Sequence, residues 1–346
     1  MRNGRVVHHE LDPELEAKGV HVCGLATCAA GEAEPWLGRC SDASPDPFTV
    51  LHDAFLAGGA FVGIPAGVVV DKPIVVLHWS HGDGRASFPH TLVVAGAAAE
   101  VSVVDRFASA GGDHLVDAVV ELVLDDGANV RYLSVQEHGP KTWQIALQRA
   151  HLGRDAHLRS SAVALGGGYA RLRSESRLDG TGAESDLLAV YFGDGNQTLD
   201  FRTLQDHAAP RTRSDLLFKG AVEDEAHSVY SGLVRLRPEA QHAEAYQTNR
   251  NLVLSEGAGA ESVPNLEIEA NDVKCAHASA VGPVDDDQRY YLATRGIPPE
   301  EADRLIVMGF FEDVIAKLPV RSLVEPLREA VTRKIEHRGH ARAPHE

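Results

Sequence analysis

From about Phe61 to Gly282 the chain is built of short β-branched and aliphatic runs, each closed by turn residues. Val68–Val70, Ile74–Leu77, Val101–Val104, Val119–Leu124 and Val130–Val135 are examples. Several alternate with a period of two. In Leu233–Arg237, Val234 and Leu236 take one face while Arg235 and Arg237 take the other. In Leu266–Asn271, Leu266, Ile268 and Ala270 oppose Glu267, Glu269 and Asn271. Side chains on an extended chain alternate in direction, so this is the pattern of strands with one buried face. An acidic residue or Gly followed by Ala precedes many runs: Gly127-Ala128, Asp155-Ala156, Gly182-Ala183, Glu225-Ala226, Glu239-Ala240 and Gly259-Ala260. The steps between them are 28, 27, 43, 14 and 20 residues, and a further turn near Ala208-Ala209 would divide the longest. A repeat of this order predicts a β-solenoid whose rungs stack on their neighbours. Its irregularity leaves a β-sandwich open.

The two ends read differently. Residues 1–60 form an irregular, partly helical segment, punctuated by Gly31, Pro35, Gly38, Pro45 and Pro47; a short helix closes over Asp53–Leu56 before Gly58-Gly59. Residues 61–285 are the strand-rich core, and residues 286–346 a helical tail. Pro298-Pro299-Glu300-Glu301 opens a helix, because proline fits the first turn and carboxylates favour the positive end of the helix dipole. Leu305, Met308, Phe311, Ile315 and Leu318 follow at helical spacing until Pro319. A second helix is predicted from Ser322 to about His337, with Leu323, Leu327, Val331 and Ile335 at four-residue steps. Two short amphipathic helices are weak alone, so this hairpin has to pack on the solenoid or on a partner. No long helical period separates the strands, which argues against a doubly wound α/β sheet.

Composition sharpens the picture. Aromatic residues make up only 6% of the 346 residues, so Ala, Val, Leu and Gly must fill thin interior layers. Net charge is −17, from 33 basic and 50 acidic residues, which disfavours nucleic acid or an anionic membrane as partner. The longest apolar stretch, Leu92–Ala99, is too short to span a bilayer, and Met1–Glu10 lacks the apolar centre of a signal peptide. Four cysteines do not make a disulfide framework, and a reducing, cytoplasmic location is expected.

Enzyme signatures are missing. There is no G-x-x-x-x-G-K-[ST] loop and no G-x-S-x-G elbow, and Gly166-Gly167-Gly168 reads as a turn. The 18 histidines are mostly scattered singly, as at His78, His81, His90 and His114, and are expected to be solvated or to sit in turns. Cys23, Cys28 and Cys40 have neither zinc-ligand spacing nor an obvious fourth ligand, and read as ordinary thiols. Asp285-Asp286-Asp287 could bind a hard cation or, with Asp272, serve a carbohydrate-active β-helix enzyme, but it stands where acids cap a helix.

Lys274-Cys275-Ala276-His277 is the most informative stretch. Cys275 and His277 are two apart and so share a face of an extended chain. Carrying the alternation forward from Leu266 predicts that they point outward, beside a lysine able to lower the thiol pKa. A thiol and an imidazole can bind a soft metal, but two ligands do not close a site.

The same region carries a family resemblance. Tyr246–Ser255, Pro264–Ile268, Asn271–His277, Val281-Gly282 and Tyr290–Ile297, continuing through Ala302, Leu305-Ile306 and Gly309-Phe310, resemble the C-terminal signature of the SufB/SufD family. Phe61–Val68 and Lys72-Pro73-Ile74 are similar to the segment that opens that family's solenoid. The Lys-Cys-x-His form resembles the SufD branch; a SufB-type chain carries a His-Glu pair here and a cysteine one rung earlier, where this chain has Asn249-Arg250-Asn251. The resemblance implies a right-handed parallel β-helix and a non-catalytic scaffold role in iron–sulfur cluster assembly. It implies pairing with SufB, with a nascent cluster held between the two chains near Cys275 and His277. It also implies docking of the ATPase SufC on the tail helices, for which Ile306, Phe310, Phe311 and Val314 are the candidate contacts. A homodimer through the same edge is expected when SufB is absent. A reduced flavin is implied as an electron source for the complex, with no residue assigned to it. Two departures stand out: Ala278 replaces the usual Gly after the histidine, and the N-terminal helical region common in the family is largely missing.

Overall fold

A computed structural model describes residues 1–28, 33–38, 40 and 46–336. Gly31, Pro45 and His337 lie outside the described residues. In chain order the elements are α1 (Pro13–Ala17), β1 (His21–Gly24), α2 (Pro47–Phe55), β2 (Ala60–Ile64), β3 (Ile74–Ser80), β4 (Arg85–Ser87), β5 (His90–Ala95), β6 (Glu100–Ser109) and β7 (His114–Leu124). Then come β8 (Asn129–Glu137), β9 (Thr142–Leu152), β10 (His157–Ala164), β11 (Tyr169–Leu178), β12 (Glu184–Gly193), β13 (Thr198–His207), β14 (Arg213–Val222), β15 (His227–Leu236), β16 (Glu244–Val253), β17 (Gly259–Ile268) and β18 (Lys274–Gly282). Three helices follow among the described residues: α3 (Asp286–Thr294), α4 (Pro299–Ile315) and α5 (Arg321–Glu336).

The strands form a two-sheet parallel solenoid of about 8 turns. The chain passes alternately between a sheet ordered β1-β2-β5-β7-β9-β11-β13-β15-β17 and one ordered β18-β16-β14-β12-β10-β8-β6-β3. Successive rungs pair in register, through Glu100, Asn129, His157, Glu184, Arg213, Glu244 and Lys274 at equivalent positions, so one rung takes 27–31 residues. The uneven steps in the sequence arise because its Ala turns come from two interleaved series. Ala128, Ala156 and Ala183 precede strands of the second sheet, whereas Ala226 precedes β15 of the first. All four side chains are fully buried at the turn. Two residues before each of β6, β8, β10, β12, β14 and β16 the backbone is left-handed, at Ala98, Gly127, Asp155, Gly182, Arg211 and His242. Only two of the six are glycine, so four rungs carry the strain of a side chain at positive φ. Val68–Val70 supplies a single bridge, Val69 to Glu100, rather than a strand.

Layers of small and aliphatic side chains stack along the interior, including Val93, Leu122, Leu152, Val101, Val130 and Leu158. The outer face of the second sheet is apolar too, and it is covered by the tail. Leu133, Val135, Val163, Val190 and Phe192 form one cluster with Val307, Phe311, Val314, Ile315, Leu327, Val331 and Ile335. Two lysines pin this layer. Lys219 Nζ reaches the Phe310 carbonyl at 2.8 Å and Asp313 at 2.7 Å, and Lys334 Nζ reaches Gln197 Oε1 and Asp194 at 2.9 Å each.

The lead segment is more ordered than its composition suggests. β1 pairs antiparallel with β2 and ends the first sheet. Beyond it, Gly38 N–H donates to Glu121 (2.9 Å), Asp46 faces Arg171 (3.4 Å) and Arg173 (3.5 Å), and His52 Nδ1 meets the Asp117 carbonyl (2.9 Å). These polar contacts, with the packing of Leu25, Ala33, Trp36 and Cys40 on Phe61, Leu92, Val94 and Val123, hold it to the outer face of the first sheet. Among the described residues no helix is long and apolar enough to cross a membrane.

Candidate functional site at the open end of the solenoid

β17 and β18 are the last strands of their sheets, so the final rung has one neighbour instead of two. Cys275 lies beside Ala245 and His277 beside Gln247 in the β16–β18 ladder. Neighbours in a parallel in-register ladder point the same way. Ala245 and Gln247 are buried inside the solenoid, so Cys275 and His277 face its interior, not outward as the alternation from Leu266 predicted. The turn between Ile268 and Lys274 resets the parity. Cys275 packs with Leu266 and Val273 against Val234, Leu236, Ala243 and Ala245. No further rung closes over them, so Cys275 is half-buried and His277 exposed. The pair lines the mouth of the solenoid.

Lys274 does not activate the thiol. It lies on the opposite face, where its Nζ binds Glu244 at 2.7 Å. That contact raises the Lys274 pKa and lowers that of Glu244. Burial instead pushes the Cys275 thiol up. Such a thiol becomes a good ligand only when a metal or cation lowers its pKa. Among the described residues no three His, Cys, Asp or Glu side chains are arranged to hold a metal ion.

Below the mouth the interior is polar. Tyr191 O–H donates to Asn251 Oδ1 (2.6 Å), Asn249 Nδ2 donates to the Tyr191 oxygen (3.1 Å), and Asn251 Nδ2 donates to Asn249 Oδ1 (2.8 Å). Tyr191, Asn249 and Asn251 are buried, and the network fixes this floor in one arrangement. The period-two polar run Gln247, Asn249, Asn251 was its visible signal in the sequence.

The other candidates divide. Cys23 and Cys28 are joined as a disulfide, which corrects their reading as ordinary free thiols; Cys40 is free and buried, its thiol pushed up to about 12 by burial and by Glu121. Asp285 caps α3, accepting from Asp287 N–H at 2.9 Å, and Asp272 pairs with His242 at 2.9 Å. Of the singled-out histidines only His81 is solvated. His78, His90 and His114 are buried, His78 stacked on Phe107 and His90 hydrogen-bonded to His52 at 3.1 Å. On the tail, Phe311 and Val314 have no exposed surface because they seat α4 on the sheet, so they cannot meet a partner directly. Ile306 and Phe310 are partly exposed, and the surface-facing groups are Tyr290, Tyr291 and Leu305.

The chain is similar in sequence to known proteins. The family model described as SUF system FeS cluster assembly, SufBD core domain, matches residues 78–310. An iron–sulfur cluster assembly SufBD family protein of Mycobacterium tuberculosis is 38% identical over 322 residues, covering 90% of this chain and 80% of its own. The iron–sulfur cluster assembly protein SufD of Bacillus subtilis is 30% identical over 342 residues, covering 97% and 78%. A SufBD family protein of Staphylococcus saprophyticus is 26% identical over 325 residues, covering 92% and 70%.

Proposed function

The chain belongs to the SufB/SufD family of SUF iron–sulfur cluster assembly proteins and is a homologue of SufD, and from that premise we propose that it is a non-catalytic scaffold subunit that shares a nascent cluster with SufB. The observation that carries this reading is the open last rung, which offers Cys275 and His277 together with two unpaired strand edges. Unpaired edges expose rows of backbone donors and acceptors that a second chain can complete. Val281 on β18, and Ile268 and Val263 on β17, are exposed there and would be buried by such a partner. The cluster is cargo in this scheme. Cys275 and His277 supply two of its ligands and SufB the rest, with His277 the more accessible.

The tail supports a second contact. α3 has no buried residue, and it projects Tyr290 and Tyr291. With Leu305, Ile306 and Phe310 they form the surface on which SufC docks, while Phe311 and Val314 hold that surface in place. A reduced flavin as electron source belongs to the assembled complex in this reading, and a homodimer through the same edge forms when SufB is absent. The test is co-purification with SufB and SufC followed by iron and sulfide analysis. His277→Ala is expected to leave the complex intact and abolish cluster assembly; full assembly by that variant would exclude the site.

A further inference from the structure

At the opposite end of the solenoid, β3 is the last strand of the second sheet, and it alternates strictly between buried and exposed positions. Val75, Leu77 and Trp79 are the exposed set, at 61%, 47% and 41%. They form a ridge on the sheet face that α4 and α5 cover further along. Val75 neighbours Val104 on β6, and Val104 is already buried in the helix-covered cluster. At Val75 the apolar face therefore runs past the end of its helical cover, while Leu77 neighbours Arg106, which is ion-paired with Glu137 at 2.8 Å. Contiguous exposed apolar surface of this kind marks an interaction site.

The strand edge beside the ridge is closed. Met1 N donates to the Leu77 carbonyl, Trp79 N–H donates to the Met1 carbonyl (3.0 Å), and Asn3 N–H donates to the Trp79 carbonyl (3.0 Å). Added-strand pairing is thus blocked along Leu77–Trp79, and an incoming element has to use the face. Elsewhere that face takes helices. The same capping residues frame the ridge with charge. Arg2 bridges to Trp79, Arg5 bridges to Arg2, and Lys72 lines a cleft of about 370 Å3 together with Val75 and Leu77. Arg2, Arg5 and Lys72 are exposed, and none is in an ion pair among the described residues; Glu10 and Asp12 line the same cleft as Lys72, and Asp71 precedes it. Those carboxylates offset Lys72, which leaves Arg2 and Arg5, bridged to the Trp79 end of the ridge, as the cations that stand out in a chain of net charge −17. They select an acidic partner and repel a basic one.

We propose that this ridge seats an acidic amphipathic helix of a partner protein, which continues the layer formed by α4 and α5. The probe is a fluorescein-labelled 18-residue helical peptide with leucines at i, i+3, i+4 and i+7 spacing and glutamates on both flanks. A second peptide carries lysines in place of the glutamates. Fluorescence anisotropy with the full chain is expected to give saturable binding of the glutamate peptide, weakened by added salt, with the lysine peptide at least tenfold weaker. Leu77→Asp, at a solvent-facing position, should cost tenfold or more with an unchanged circular dichroism spectrum. Should that variant misfold, the double change Arg2→Glu and Arg5→Glu, which touches no core residue, should invert the preference between the two peptides. Equal binding of both peptides, or binding unaffected by these changes, would overturn the proposal. So would a dimer of the chain that Leu77→Asp dissolves, since the occupant would then be a second copy.

Discussion

Gly220→Ala tests whether the polar floor under the mouth is as rigid as its geometry implies. A Cβ at Gly220 would lie 1.9 Å from Tyr191 Cε2, 2.4 Å from Tyr191 Cζ and 2.6 Å from Asn251 Oδ1. The Tyr191 ring cannot retreat freely. It is fully buried, it packs on Phe201 at 4.3 Å between centroids, and its hydroxyl is held by Asn249 and Asn251. Overfilling a packed interior costs about 1–3 kcal/mol. Moving the ring also breaks one or both hydroxyl hydrogen bonds, at about 1 kcal/mol each. The expected loss is about 3 kcal/mol, measured by urea unfolding at neutral pH. Shrinking the obstructing ring should recover part of it. Gly220→Ala combined with Tyr191→Leu should be less destabilised than the sum of the two single changes by about 1–2 kcal/mol. A Gly220→Ala protein within about 0.5 kcal/mol of the parent, the scatter of surface changes, would refute the account of a fixed floor.

Gly309→Ala is the counterpart. That position lies in α4 with nothing within 4 Å of an added Cβ, so alanine should stabilise by about 1 kcal/mol, seen as a raised unfolding midpoint. Replacing Tyr290 and Tyr291 by serine should leave stability within about 0.5 kcal/mol, since both are exposed, while weakening SufC binding at least tenfold in a pull-down titration. Acid should destabilise the fold in a calculable way. Burial holds the imidazoles of His52, His138 and His207 down to about 4, 3 and 4, so each stays neutral in the folded chain while the unfolded chain takes up a proton below its ordinary value. Their contribution is present at neutral pH and lost as pH falls. Asp117 acts oppositely: burial, reinforced by Asp46 and Asp53, pushes its carboxyl up to about 7, so the folded chain holds that proton across the same window. Three groups against one leave a net loss of roughly 4 kcal/mol between pH 6.5 and 4.5. Urea unfolding at a series of pH values would show it, and a flat profile would remove the argument.

The strands were legible because a half-buried extended chain alternates in polarity, and β15, with Val234 and Leu236 inward and Arg235 outward, does so cleanly. The rung length was obscured because both sheets use the same Ala turn, so neighbouring turns in sequence belong to different ladders. Parity failed at the mouth for a related reason. Alternation is a local rule, and the turn after Ile268 does not conserve it; only the pairing of Cys275 with Ala245 fixes the direction. The tail helices were legible from their apolar spacing, but spacing cannot tell an intramolecular seat from a docking face, which is why Phe311 and Val314 were assigned to the wrong one. The lead segment was hardest to read. It is held to the sheet by polar contacts, such as those of Asp46 and His52, and by scattered apolar residues, such as Leu25, Ala33 and Trp36, whose spacing has neither a strand nor a helix period.

The in-register ladder also makes the protein a ruler. Its eight-stranded sheet runs from the ridge on β3 to the mouth at β18, and seven intervals of about 4.8 Å set those two ends roughly 34 Å apart. That distance can change only in whole increments. A homologue that duplicates one rung of about 30 residues keeps every side-chain direction and both terminal surfaces, yet carries the chemistry at one end a single step farther from whatever is gripped at the other.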